Sequence, residues 1–122
     1  MREGLGSLVM PACSGLCLEQ GRFEVSATWR TQDAQGAATA VPISGNTGYL
    51  WFFKAANVEV VLKVLNGCGA NGHFWFFAGG LTNVEVVIKV RDTLTGAEQT
   101  YTNPLGRPFQ PIQDTSAFAT CP

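Results

Sequence analysis

Residues 51–64 read WFFKAANVEVVLKV, and residues 75–90 read WFFAGGLTNVEVVIKV. Both copies run Trp-Phe-Phe, a link rich in small residues, then Asn-Val-Glu-Val-Val-x-Lys-Val, with the link two residues longer in the second. One supersecondary unit is therefore written twice. In the first copy Val58, Val60, Leu62 and Val64 fall on one side of an extended chain, and Glu59, Val61, Lys63 and Leu65 on the other. In the second, Val84, Val86, Ile88 and Val90 oppose Glu85, Val87, Lys89 and Arg91. That period of two belongs to a strand. β-Branched Val and Ile lose side-chain freedom in a helix and fit a pleated surface, which disfavours the helical alternative. Two copies are too few to stack as a solenoid, so the pattern predicts a duplicated hairpin inside one domain.

Outward from the repeat, RFEVSATWRT (22–31) alternates cleanly, with Phe23, Val25, Ala27 and Trp29 facing inward. AATAVPI (37–43) is a weaker strand. Pro42 confines it to a sheet edge or a strand end, because proline cannot donate to a ladder. The repeat supplies strands at 49–54, 57–65, 73–78 and 83–92, and a last one is expected at 98–102. TQDAQG, SGNTG, NGCGANG and DTLTG are turns between them, with glycine and asparagine available for positive φ. Seven short strands at intervals of about ten residues, with no helix signal, predict an all-β protein. The expected architecture is an antiparallel β-sandwich, immunoglobulin-like in its likeliest variant, with a small barrel as runner-up. Residues 1–16 read as an irregular lead-in and 17–122 as one domain. Its last part, 103–122, holds four of the six prolines and is expected to lie as an extended strap.

At 122 residues the chain suffices for a core of its own. Charged residues make up only 14%, and the net charge is −1, with 8 basic residues that form no run. Nucleic-acid binding needs clustered Lys and Arg and is not expected. No apolar stretch approaches the roughly 20 residues of a membrane helix, so no membrane span is expected. The apolar patch at Leu8 to Met10 is too short for a signal-peptide core; either an export signal has been removed or the segment is an incomplete leader.

The 4 cysteines are Cys13, Cys17, Cys68 and Cys121. An even number in a small glycine-rich β chain suggests disulfides, whereas the paired C-x2-C knuckles of zinc ribbons are absent. Three residues between Cys13 and Cys17 make a bridge between those two awkward in an extended chain. Cys17 with Cys68 and Cys13 with Cys121 are the expected pairs. Disulfides point to an oxidising compartment, hence a secreted or cell-surface protein.

Groups that could carry catalysis are few. His73, the single histidine, reads as a half-exposed strand-end residue, and no G-x-S-x-G elbow accompanies any serine. Glu59 and Glu85 occupy equivalent places in the repeat and are expected to pair with Lys across strands on an exposed face. Asp92 and Asp114 are weak calcium candidates, without a D-x-D-x-D-G loop around them. No cofactor is implied. Large apolar groups, however, stand on both faces of the central strands. Phe52, Phe76, Val61, Val87 and Leu65 are the candidates for an exposed apolar patch that would mark a protein contact or self-association. Aromatic platforms for sugar stacking are a further option.

Several longer stretches, GLCLEQGRFEVSATWR, GYLWFF, ANVEVVLKVLNGCGANGHFWFFAGGLTNVEV and TYTNPLGRPFQPIQDTSAF, resemble uncharacterised β-rich modules of secreted bacterial proteins, often near the C-terminus of a larger polypeptide. In those modules Asp-Pro often stands where Lys54 and Ala55 stand here. The resemblance implies export and a β-rich module and supplies no catalytic residues. Residues and resemblance together lead to a non-enzymatic extracellular module for adhesion, binding or structure. The alternatives are a self-assembling subunit of a filament and, disfavoured, a small metal-dependent hydrolase.

Overall fold

The computed structural model describes residues 13–122. Its elements are β1 (Leu16–Leu18), β2 (Phe23–Arg30), β3 (Gln35–Ala37), β4 (Thr39–Pro42), β5 (Thr47–Trp51), β6 (Val60–Gly67), a helical turn α1 (Cys68–Asn71), β7 (His73–Gly80), β8 (Glu85–Asp92), β9 (Glu98–Asn103) and β10 (Ile112–Phe118). They form two antiparallel sheets packed face to face. The first runs β1-β2-β8-β9, with β3 also on β2; the second runs β10-β7-β6-β5-β4. β3 and β4 are almost continuous, and between them Ala38 donates its N–H to the Ala27 carbonyl at 2.9 Å. The chain thus bends from one sheet into the other and closes that side, as corner strands do.

Alternation decides what lies between the sheets. Phe23, Val25 and Ala27 of β2, with Val86, Ile88 and Val90 of β8, meet Leu50 of β5, Val60, Leu62 and Val64 of β6, and Phe74, Phe76 and Ala78 of β7 in one buried cluster. The Phe23 ring sits 4.8 Å from Phe74 and 4.9 Å from Phe118, so it joins three strands from both sheets. Phe76 stacks on Tyr101 of β9 at 4.8 Å. On the opposite side the sheets approach through Gly48, where an added Cβ would lie 2.6 Å from a Leu16 methyl.

Among the described residues ten strands stand where about seven are expected, and the additions have separate causes. β1 and β3 are three residues each, too short to show alternation. β10 lies inside the expected strap. Its Ile112 pairs with Ala78 and its Asp114 with Phe76, but the sequence IQDTSAF alternates weakly and follows a proline-rich stretch. Pro42 ends β4 at an edge of the second sheet, as its missing N–H requires. Residues 1–12 of the expected lead-in, with the patch at Leu8 to Met10, lie outside the described residues.

The repeat is a hairpin in only one of its copies. β5 pairs with β6 from Thr47↔Lys63 to Leu50↔Val60. In the second copy β7 pairs with β6 and β10, while β8 pairs with β2 and β9, so the link 81–84 crosses from one sheet to the other. The second true hairpin joins the two copies: β6 and β7 pair from Val60↔Gly80 to Gly67↔His73 across α1.

The disulfide pairing also differs from expectation. Cys13 bonds Cys17, and Cys68 bonds Cys121. Gly15, at φ 76°, folds the segment back on itself, which brings the Cys13 and Cys17 Cα atoms to 6.0 Å. The chain there is not extended, and the objection to that bridge disappears. Cys121 then secures the C-terminal segment to the β6–β7 loop. Beside it, Arg22 donates to the Thr120 carbonyl at 2.8 Å and grips Asp92 with two hydrogen bonds of 2.7 and 2.9 Å.

Candidate functional site

Five sequence-selected residues were expected to share an exposed patch, and the structure separates them. Phe52 and Phe76 are buried in the core. They face inward because Trp-Phe-Phe keeps the parity of the strand that carries it, and Leu50, Phe74 and Ala78 on those strands all point between the sheets. Val87 lies on the outer face of the first sheet, whereas Val61 and Leu65 lie on the outer face of the second.

That second outer face is the candidate site. On β5, Tyr49 and Trp51 alternate with buried Leu50; on β6, Val61, Lys63 and Leu65 alternate with buried Leu62 and Val64; on β7, Trp75 and Phe77 alternate with buried Phe74, Phe76 and Ala78. None of these outward groups belongs to the core cluster or packs against it. Register aligns them in rows: Leu65 beside Trp75, Lys63 beside Phe77, Val61 beside Gly79 and opposite Tyr49. Val61 is 44% exposed.

Local packing holds the aromatic end of this strip flat. An added Cβ on Gly67 would lie 2.2 Å from the Cε2 and Nε1 atoms of Trp75, so the indole covers the glycine and offers its other side outward. Only a missing side chain permits that approach. The Trp75 Nε1 donates to Asn71 Oδ1 at 2.8 Å, and Asn71 in turn donates to the Thr115 carbonyl at 2.8 Å. Phe77 lies 6.1 Å from Trp75, with ring planes 20° apart. The Lys63 ammonium sits 5.9 Å from the Phe77 ring centroid, a cation–π contact.

Beyond Phe77 the strip becomes a groove. Gly79 leaves its floor bare, with no atom within 4 Å of an added Cβ. Thr47, Val61, Lys63, Phe77, Pro111 and Gln113 surround a depression of about 350 Å³. A second one of about 410 Å³ shares Val61, Gly79 and Pro111 with it and adds Val58, Glu59 and Leu81. Glu59, expected on an exposed face with Lys, is instead 5% exposed. Its Oε2 accepts from Asn57 Nδ2 at 2.9 Å. Glu85 does pair across strands, with Arg30 of β2 at 2.7 and 3.1 Å rather than with Lys.

Neither Asp92 nor Asp114 is placed as a cation ligand. Asp92 is fully buried, and its oxygens accept from Arg22 and from the N–H groups of Leu94 and Thr95. Burial pushes its carboxyl up, but those donors outweigh it and hold the group well below the usual carboxylate range. Asp114 accepts from the Tyr101 hydroxyl at 2.7 Å and from the Ser116 N–H. Burial, then that carboxylate, drives the Tyr101 phenol far above its ordinary value. His73 begins β7, half-buried, with Nδ1 3.0 Å from the Asn71 carbonyl oxygen. Among the described residues, no group of three or more His, Cys, Asp and Glu could hold a metal ion. Among them, too, no helix is long and apolar enough to cross a membrane.

The chain matches no family model, no curated protein and no solved structure. Function therefore has to be read from the face itself. Alternation puts Trp51, Trp75 and Phe77 opposite Phe52 and Phe76, but it cannot say which of the two rows faces out. The signal lay in Gly67 and Asn71, a bare position and a hydrogen-bonding side chain placed to seat an indole.

Proposed function

We propose that the chain is a non-enzymatic binding module that acts outside the cell, with the outer face of the β10-β7-β6-β5-β4 sheet as its contact surface. The observation that carries this reading is the row of Tyr49, Trp51, Val61, Leu65, Trp75 and Phe77, large apolar groups outside the core. A solvent-facing sheet ordinarily carries polar groups there, and a contiguous apolar face marks a contact. Two disulfides support an oxidising compartment, and export agrees with the secreted bacterial modules that the chain resembles. Within the immunoglobulin-like group of sandwiches it would be a variant, because β9 follows β8 in sequence where the ABED order has the edge strand come first.

The test is retention of the labelled chain on bacterial cells. Trp75→Ala/Phe77→Ala is expected to abolish retention, and Val87→Ala, on the other sheet, to leave it unchanged. Equal retention of both variants sinks the reading. Self-assembly into a filament is the second reading, favoured by β4 and β10, which end the second sheet with one ladder side open. A monomer in concentrated solution, by sedimentation, removes it.

A further inference from the structure

We propose that the ligand of this face is a neutral polysaccharide chain lying along β6 and β7, from Trp75 to Glu59. The proposal rests on the binding reading above and adds its chemistry. A sugar ring presents C–H groups on its faces and hydroxyls around its rim. It therefore needs flat aromatic surface beneath it and fixed polar groups beside it, which is the arrangement on this strip.

Trp75 and Phe77 supply the flat part. The indole is pressed onto Gly67, and the phenyl plane departs from it by 20°. Asn71 fixes the indole before anything binds, so little ordering is left to oppose association. From Leu65 to Glu59 the strip is six residues long, roughly 20 Å at a strand's rise, which suits several sugar units rather than one. Over Gly79 nothing intervenes between a chain and the backbone.

Polar groups supply the rest. Lys63, Thr47 and Gln113 border the groove near Phe77. At its far end stands the Glu59 carboxylate, whose Oε2 accepts from Asn57 Nδ2 at 2.9 Å. A carboxylate lining the groove is an acceptor for the hydroxyls of a ligand. Charge narrows the class further. Lys63 is the one Lys or Arg among the outward residues of β5, β6 and β7, and Glu59 stands four residues before it along the same strip. An anionic polymer or an acidic lipid surface would call for a cluster of cations.

The experiment is affinity electrophoresis of the full chain in native gels containing hydroxyethyl cellulose, xylan or mannan, with polygalacturonate as the anionic control. Retardation is expected in at least one neutral gel and not in polygalacturonate. Trp75→Ala should weaken association at least tenfold, and Glu59→Gln and Asn71→Ala severalfold, while Val87→Ala migrates like the parent. Urea midpoints of the variants close to the parent's show that folding is intact; if Glu59→Gln unfolds, Trp75→Ala alone decides. No retardation in any neutral gel, retardation only in polygalacturonate, or a Trp75→Ala variant still retarded overturns the proposal. Cell retention that survives periodate oxidation of surface glycans but not protease treatment also overturns it, and leaves the binding reading standing.

Discussion

Replacing Cys68 and Cys121 together by alanine should cost about twice as much stability as replacing Cys13 and Cys17. A disulfide acts largely by restricting the unfolded chain, and the restriction grows with the logarithm of the loop it closes. Cys68 and Cys121 are 53 residues apart, which gives roughly 4 kcal/mol, whereas Cys13 and Cys17 are 4 apart, which gives roughly 2 kcal/mol. The alternative pairing of Cys17 with Cys68 and Cys13 with Cys121 would close only long loops, and each double variant would then break both bridges, lose roughly 9 kcal/mol and strand two free thiols. Urea unfolding followed by tryptophan fluorescence measures the difference. The Cys68→Ala/Cys121→Ala protein should also unfold with a steeper dependence on urea, because its unfolded chain is more expanded. Equal losses in the two double variants, or free thiols in either, would refute the pairing and the position of the C-terminal segment that depends on it.

Adjacent residues test the assignment of faces. Phe76→Ala should cost about 3–5 kcal/mol by opening a core cavity, and Phe77→Ala under about 1 kcal/mol, both by urea unfolding. The reverse order would mean that the two rows have been exchanged. Asp92→Ala should cost about 3–5 kcal/mol, since Arg22 keeps its charge beside a vacated buried site. The Asp92 carboxyl is depressed in the folded protein, so its contribution is complete above the ordinary carboxylate value of about 3.9 and is lost as pH falls through the lower folded value. Acid titrations of the parent should show that loss, and those of Asp92→Ala should lack it. Tyr101 has the opposite sign: its raised folded value gives a contribution complete below about pH 10 and lost as pH rises further. Tyr101→Phe should cost about 1 kcal/mol at neutral pH and remove part of the alkaline instability.

Side-chain alternation made the faces of β2, β6 and β8 readable in sequence, because Phe23, Val25 and Ala27, Val60, Leu62 and Val64, and Val86, Ile88 and Val90 are buried at every second position. It could not reveal β1 and β3, where three residues offer too short a period, nor β10, whose pairing with β7 is set by tertiary contact. The cysteine pairing failed on one assumption, that residues 13–17 are extended, which Gly15 at positive φ removes. Glu59 was misread for a related reason. A carboxylate beside a valine row looks solvated, yet Glu59 is 5% exposed, at a depression it shares with Leu81, Phe109 and Pro111, which are distant in sequence.

The same limit explains how the face proposed to bind arises. In both copies of the repeat the same phenylalanine points inward: Phe52 and Phe76 are buried, while Phe53 and Phe77 are not. What the copies do not share is a partner. Had the second copy closed on itself as the first does, β7 would lie against β8 and its outward aromatics against Val87 and Lys89. Instead the Cys68–Asn71 turn folds β7 back onto β6, and the link 81–84 carries β8 into the other sheet. Trp75 and Phe77 thereby come to lie beside Leu65 and Lys63, with Gly67 as the seat of the indole and Gly79 as the floor of the groove. The face proposed to bind is thus the seam between the two copies. A sugar-binding strip at that seam needs the Asn71 turn as much as it needs the rings, so Asn71→Ala should weaken binding although the residue lies outside both strands.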